Sequence, residues 1–276
     1  MKKRGLHKTN WVVTILMILG SLFVLFPLYL SIVVALKSPQ ETAQSILLLP
    51  KKLHFENFTE AIRMTNYFRA FFNSFIITVF SVSFTLLTNS LVAYAIGRNM
   101  HKKIFRGMYY YLVSAMFVPF SIIMLPIVKQ TSAWNLDNKI GLIILYTVYG
   151  LAFNTFLYVA YIKSLPRDFE EAAIIEGAST WQIFWKIIFP LLKPINATII
   201  VLTCLWVWND FMLPLILLSK PEMATLPLVQ YVFRSQFNTN YNLAFASYLL
   251  ASAPLLIVYL LAQRFIISGV TKGAIK

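Results

Sequence analysis

Acidic residues are scarce in this chain of 276: ten Asp and Glu face twenty-four Lys and Arg, and charge of either sign takes only 12% of positions. Histidine is rarer still. His7, His54 and His101 lie in separate polar stretches, without the short spacing that gathers metal ligands. The one cysteine, Cys204, sits inside an apolar run, which excludes an intramolecular disulfide or a thiolate cluster and leaves a packing role. No glycine precedes a Lys-Ser or Lys-Thr pair, so there is no Walker loop to cradle nucleotide phosphates. A Gly-x-Ser-x-Gly elbow is also missing, and no histidine falls in an apolar run, so a buried nucleophilic triad would lack its base.

What the chain has in abundance is apolar sequence. Hydrophobic residues fill 59% of it and the mean hydropathy is +0.71, outside the range of water-soluble domains. A bilayer core about 30 Å thick takes roughly 20 apolar residues per helix, because no water is there to satisfy exposed backbone groups. Such runs occur at 11–36, 71–97, 107–128, 140–162, 195–219 and 244–266. The expected fold class is an all-α integral membrane protein of six transmembrane helices. The first run follows Lys2, Lys3, Arg4 and Lys8, yet it is too long for the apolar core of a cleaved signal peptide and reads as a retained span.

The formal net charge is +14. A nucleic-acid binder gathers its basic groups on one solvated surface, whereas these lie between spans, which points to topology and not to nucleic acid. The N-terminus (1–10), the loop 98–106, the loop after residue 162 and the C-terminal end from Arg264 hold fifteen Lys and Arg, against nine in the other three loops. The positive-inside rule puts the richer side, with both termini and the tail 267–276, in the cytoplasm.

Inside the predicted spans Asp210 is the only acidic residue. Ion-coupled transporters keep titratable groups in their spans, so this scarcity argues against a stand-alone secondary transporter or channel, the alternative function for such a chain. A membrane-embedded enzyme would need His, Asp, Glu or Lys converging at one depth, and no such set is present. Asp210 follows Trp206, Trp208 and Asn209 and precedes Pro214, where a kink is expected. Two readings stand for the carboxylate: a functional group, or a group near the outer interface that is hydrogen-bonded to a neighbour such as Asn209 and merely shapes a broken helix. Prolines at 27, 119, 126 and 254 mark further candidate kinks.

The loop 163–194 differs from the rest. Pro166, with Asp168, Glu170 and Glu171 near the positive end of a helix dipole, starts a helix over about 167–176, which Gly177 stops. Ser179 or Thr180 can cap a second helix whose apolar positions Ile183, Phe184, Ile187 and Ile188 form one face until Pro190 halts it. Small Ala172, Ala173 and Gly177 allow close approach, and Glu171 and Glu176 can pair with basic groups of a partner. An ordinary interfacial helix explains the pattern about as well on these grounds alone.

The spacing carries more. Glu171-Ala172-Ala173, Gly177 after three residues, Ile187 after nine more, and then Pro190 resemble the EAA loop of bacterial ABC importer permeases. Phe189 stands where that pattern usually has Leu, and Glu176 where the sugar branch often has Asp. Trp208-Asn-Asp-Phe-Met-Leu-Pro214 and the ending Gln263 to Lys276 are similar to the maltose-type, multi-sugar permease family, so the resemblance runs over essentially the whole chain.

The resemblance implies a type I importer permease with no catalytic residues of its own. It implies a second homologous permease, two cytoplasmic ATPase subunits that hold ATP and Mg, an extracellular sugar-binding protein, and residence in a bacterial inner membrane. No cofactor is then expected in this chain. Glu171, Ala172, Ala173, Glu176, Gly177 and Pro190 would form the ATPase-coupling element, and the tail after Arg264 would lie along the same interface. Trp206, Trp208, Asn209, Asp210 and Pro214 are candidates for the translocation cavity, although Trp at membrane interfaces commonly serves as an anchor.

Overall fold

The computed structural model describes residues 10–233 and 240–274, with side chains as far as residue 260 and none for Val232. The basic residues before Asn10 and the side chains of the C-terminal tail lie outside the described residues. In chain order the helices are α1 (Trp11–Ala35), α2 (Pro39–Gln44), α3 (Glu56–Met64), α4 (Tyr67–Arg98), α5 (Lys103–Ser114), α6 (Phe120–Ala133) and α7 (Lys139–Ser164). They continue with α8 (Asp168–Ile175), α9 (Thr180–Ile183), α10 (Phe189–Leu191), α11 (Lys193–Asn209), α12 (Met212–Leu217), α13 (Leu226–Val229) and α14 (Tyr241–Ala274). Among the described residues there is no strand.

By length and composition α1, α4, α7 and α14 can each cross a membrane, and two bent pairs raise the number of candidate spans from 4 to 6. One bend corrects the expectation of a continuous span over 107–128. A 3-10 turn carries α5 on to Phe117, and α6 then departs at 105°. Pro119 supplies the cause, since its ring pushes the preceding residue out of helical conformation, and Val118 is extended at φ −83, ψ 113.

The other bend lies between the Thr180–Leu191 stretch and α11, at 74°. Pro190 therefore does not halt the second loop helix. The chain stays helical through Leu191, with a π turn over Phe184–Ile188 just before the proline. Further on, the run 195–219 is interrupted at Asp210, which is extended (φ −69, ψ 130) between α11 and α12. The kink expected at Pro214 thus falls four residues earlier. Pro214 sits in the first turn of α12, where its missing N–H has no helical acceptor to lose.

The chain divides into two units, Met1–Tyr67 with Gln230–Ser252, and Phe68–Val229 with Ala253–Lys276. In the first, α1 is apolar on every side and buried only at Val33, Val34 and Ala35. Its end has carbonyls that no further helical turn can satisfy, and two asparagines serve them. Asn57 donates to the Ala35 and Lys37 carbonyls, and Asn242 to those of Val34 and Lys37, at 2.8–2.9 Å. Ala35, Ala61, Phe233, Leu243, Ala244 and Ala246 form the core of this unit.

In the second unit α4 and α7 pack along their length. Gly97 of α4 lets them close up, because a Cβ there would meet Ile162 of α7 at 3.2 Å. At one end, Ala93 and Ile96 of α4 join Tyr158, Val159 and Ile162 of α7 and the loop residues Ile183, Phe184, Ile188 and Leu192 in one apolar cluster. At the other end, Ile77, Leu142 and Tyr146 pack with Val207, Leu213 and Leu217.

Candidate docking element and the break at Asp210

Capping defines the first loop helix as α8. Its C-terminal amides close a Schellman turn: Ala178 N–H reaches the Ala173 carbonyl and Gly177 N–H the Ile174 carbonyl, both at 2.9 Å. That turn requires a left-handed residue, and Gly177 has φ +82. A Cβ at Gly177 would meet nothing within 4 Å, so backbone conformation, not crowding, demands glycine here. Ser179 then caps the next helix in a capping box, accepting from Gln182 N–H while the Gln182 side chain accepts from Ser179 N–H at 2.8 Å. The predicted cap and stop residues are both confirmed.

The inner side of α8 is fixed by a pair the sequence reading passed over. Glu170 meets the guanidinium of Arg98, the last residue of α4, at 2.6–2.7 Å, with both side chains mostly buried. Tyr94 donates to the other carboxylate oxygen at 3.1 Å. Arg98 also donates to the Leu165 carbonyl and Arg167 to the Arg98 carbonyl, so the basic loop 98–106 and the loop 163–194 meet at one end of the unit. Glu170 had been assigned only to the helix dipole. Its partner lies 72 residues away, and nothing local in the sequence reveals it.

The outer side of α8 is open. Glu171, Ala172, Glu176 and Gly177 are exposed, and so are Phe169, Ile174 and Ile175, the last at 87% of its full accessible area. Ala173 departs from the grouping expected with Ala172 and Gly177. It turns inward, 8% exposed, into the cluster with Phe184 and Ile188. The face left for a partner is therefore acidic at Glu171 and Glu176 and apolar at Phe169, Ile174 and Ile175. Behind it the second helix lays Ile183, Phe184 and Ile188 against the bundle, and Trp185 meets Phe184 edge-on at 4.9 Å and Phe189 at a tilt at 5.0 Å. Pro190 is exposed beyond this cluster, on the stretch that turns into α11.

The Asp210 group is brought together only in part. The break frees the first amides of α12, and Asp210 accepts from Met212 N–H at 3.1 Å. Its other carboxylate oxygen accepts from the fully buried Tyr146 hydroxyl on α7 at 2.9 Å. The expected bond to Asn209 is not the one formed: the Asn209 amide turns back to the Leu205 carbonyl at 2.8 Å. Trp206 packs edge-on against Tyr146 at 5.2 Å. Trp208 points elsewhere, buried against Phe71 at 5.9 Å, and Pro214 is buried in α12. Tyr146 was missed because hydropathy counts tyrosine with the apolar residues. The signal was Asp210 itself, a lone carboxylate that needs a donor.

With this geometry in view, relatives place the chain. Residues 89–272, which take in both the loop that carries α8 and the break, match the family "Binding-protein-dependent transport system inner membrane component". The chain belongs to that family. It is therefore a multi-pass membrane component of a transport system. It is similar to the "Multiple sugar-binding transport system permease protein MsmG" of Streptococcus mutans, 40% identical with 95% of each chain covered. It also resembles the "Probable starch degradation products transport system permease protein AmyC" of Thermoanaerobacterium thermosulfurigenes, 36% identical over 99% of each. In fold it matches a crystal structure of a bacterial ABC transporter that imports the acidic polysaccharide alginate, with a TM-score of 0.82, 24% identity and coverage of 96% and 98%.

Proposed function

We propose that this chain is one of two permease subunits of an ATP-driven, binding-protein-dependent sugar importer, with α8 as the element gripped by a cytoplasmic ATPase subunit. The observation that carries the reading is the two-sidedness of α8. Its inner face is locked to α4 by Glu170 and Ala173, while Glu171, Ala172, Ile174, Ile175 and Glu176 stand free on the outer face. A partner seated there would move α4 and α7 as it moves α8.

The partner must favour one permease conformation over another, since equal affinity for both shifts nothing. ATP and Mg belong to the ATPase subunits, and an external binding protein delivers the sugar. Both termini lie in the cytoplasm. The meeting of two basic loops at the α8 end supports this, because the positive-inside rule assigns both to one side. Mono- and oligosaccharides are the substrate class, by analogy with what the relatives' names state. Asp210, held by the buried Tyr146 hydroxyl, offers a carboxylate to sugar hydroxyls, and the exposed Trp206 offers a ring to apolar sugar faces.

The test is uptake of labelled maltodextrins and raffinose in cells carrying Glu171→Lys or a Gly177→Val replacement. Transport should fall while ATP hydrolysis by the complex persists, with the protein still in the membrane. Normal uptake in both variants, or sugar movement by the purified chain without an ATPase, would overturn the assignment.

A further inference from the structure

On the outside of the α4–α7 pair, Ile76, Phe80 and Phe84 of α4 face Ile143, Ile144 and Val148 of α7 across a groove of about 570 Å³, a volume in the range of small-molecule sites. Phe80, Phe84 and Val148 are about half exposed, so the groove opens at the surface of the unit. From Ile76 to Thr88 it follows twelve residues of helix, about 18 Å at the usual rise. That is close to the roughly 15 Å depth of one leaflet of hydrocarbon.

One basic side chain lines it, at one end. Lys139, the first residue of α7, donates to Asn73 Oδ1 at 2.6 Å. Asn73 is itself held by two 2.9 Å bonds from its amide to the Glu222 and Ala224 carbonyls. The ammonium is thus pinned beside an apolar trough by a neutral acceptor, with two donors remaining and no ion-pair partner among the described residues. Asp137, two residues earlier, is exposed, and the exposed Trp134, five residues before Lys139, is of the type that anchors at the membrane interface.

We propose that this groove holds one acyl chain of an anionic phospholipid, with its phosphate on Lys139. A partner helix would fill the apolar length but leave the cation without a counter-charge. A lipid supplies both, in the order the groove presents them: charge at the rim, hydrocarbon inward. A zwitterionic lipid would bring its own cation to the same spot and bind more weakly.

The experiment uses the full chain with its co-purifying subunits in nanodiscs of phosphatidylcholine doped with phosphatidylglycerol, with a photo-crosslinking benzoylphenylalanine at Val148. Irradiation should give a phosphatidylglycerol adduct by mass spectrometry, enriched over its share of the lipid. Lys139→Gln should weaken that enrichment about fivefold, the factor for one basic residue at a membrane surface. Ile144→Trp, which fills the groove and keeps Lys139, should abolish the adduct. A crosslink to a polypeptide, an adduct that mirrors bulk lipid composition, no adduct at all, or enrichment unchanged by Lys139→Gln would each overturn the proposal.

Discussion

At the α8 end of the α4–α7 pair, a charged and aromatic anchor, a Schellman turn, a capping box and an apolar cluster all specify the same loop geometry. At the opposite end there is an apolar cluster too, but the polar anchors of the break at Asp210 are one tyrosine hydroxyl and one backbone amide. The contrast is between a part whose polar anchors are many and mutually supporting and a part whose polar anchors are two. In the proposed importer, a handle must transmit force without yielding, whereas a segment proposed to lie beside the translocation path would have to change partners during transport. Local stability differences of this kind are where conformational change concentrates.

The sharpest way to break the contrast is to remove one member of the Arg98–Glu170 pair. Glu170→Ala leaves Arg98 enclosed without its carboxylate, at a cost of about 3 kcal/mol, and should lower the thermal midpoint of the purified complex and abolish uptake. The exchange Arg98→Glu with Glu170→Arg should recover part of both, whereas a surface pair would show neither the loss nor the recovery.

A comparable effect on the break is expected from Tyr146→Phe, which keeps the ring against Trp206 and deletes only the hydroxyl. A hydrogen bond to a charged group is worth about 1.5–3 kcal/mol, so the loss should show in the sugar concentration for half-maximal uptake more than in stability. Equal changes in the two would assign Tyr146 a packing role only.

Next comes the turn. Gly177→Val forces a β-branched residue into left-handed backbone, about 1–2 kcal/mol, while Gly177→Asn, which tolerates that region, should keep most of the uptake. If both variants behave alike, φ is not what glycine provides there. The smallest stability effect belongs to Glu171→Lys on the open face, within about 0.5 kcal/mol, even though transport fails. A large drop in melting temperature would mean that Glu171 is part of the anchor.

The legible parts of the fold were those set by neighbours in sequence. Apolar runs gave the helices, Ser179 and Gly177 gave the caps of the loop, and the Glu171-Ala172-Ala173 spacing carried the resemblance on which its proposed role rests. Contacts between distant segments were not legible. Arg98 looked like a topology marker and Glu170 like a dipole residue until the fold joined them. The inward turn of Ala173 depends on which face of α8 meets Phe184, and an eight-residue helix has too few turns to show that in its pattern. The prolines were a mixed guide. Pro119 breaks its span because Val118 must leave helical conformation, while Pro214 and Pro190 are accommodated within helical segments.

The central claim is that the open face of α8 looks into the cytosol and is covered there by an ATPase subunit. Ile175→Cys, in a chain with Cys204→Ser, can be labelled with a membrane-impermeant maleimide in right-side-out and inverted vesicles. Labelling only in inverted vesicles, and protection when the ATPase is bound, is the predicted result. Labelling from the outside, or equal labelling with and without the ATPase, would contradict it.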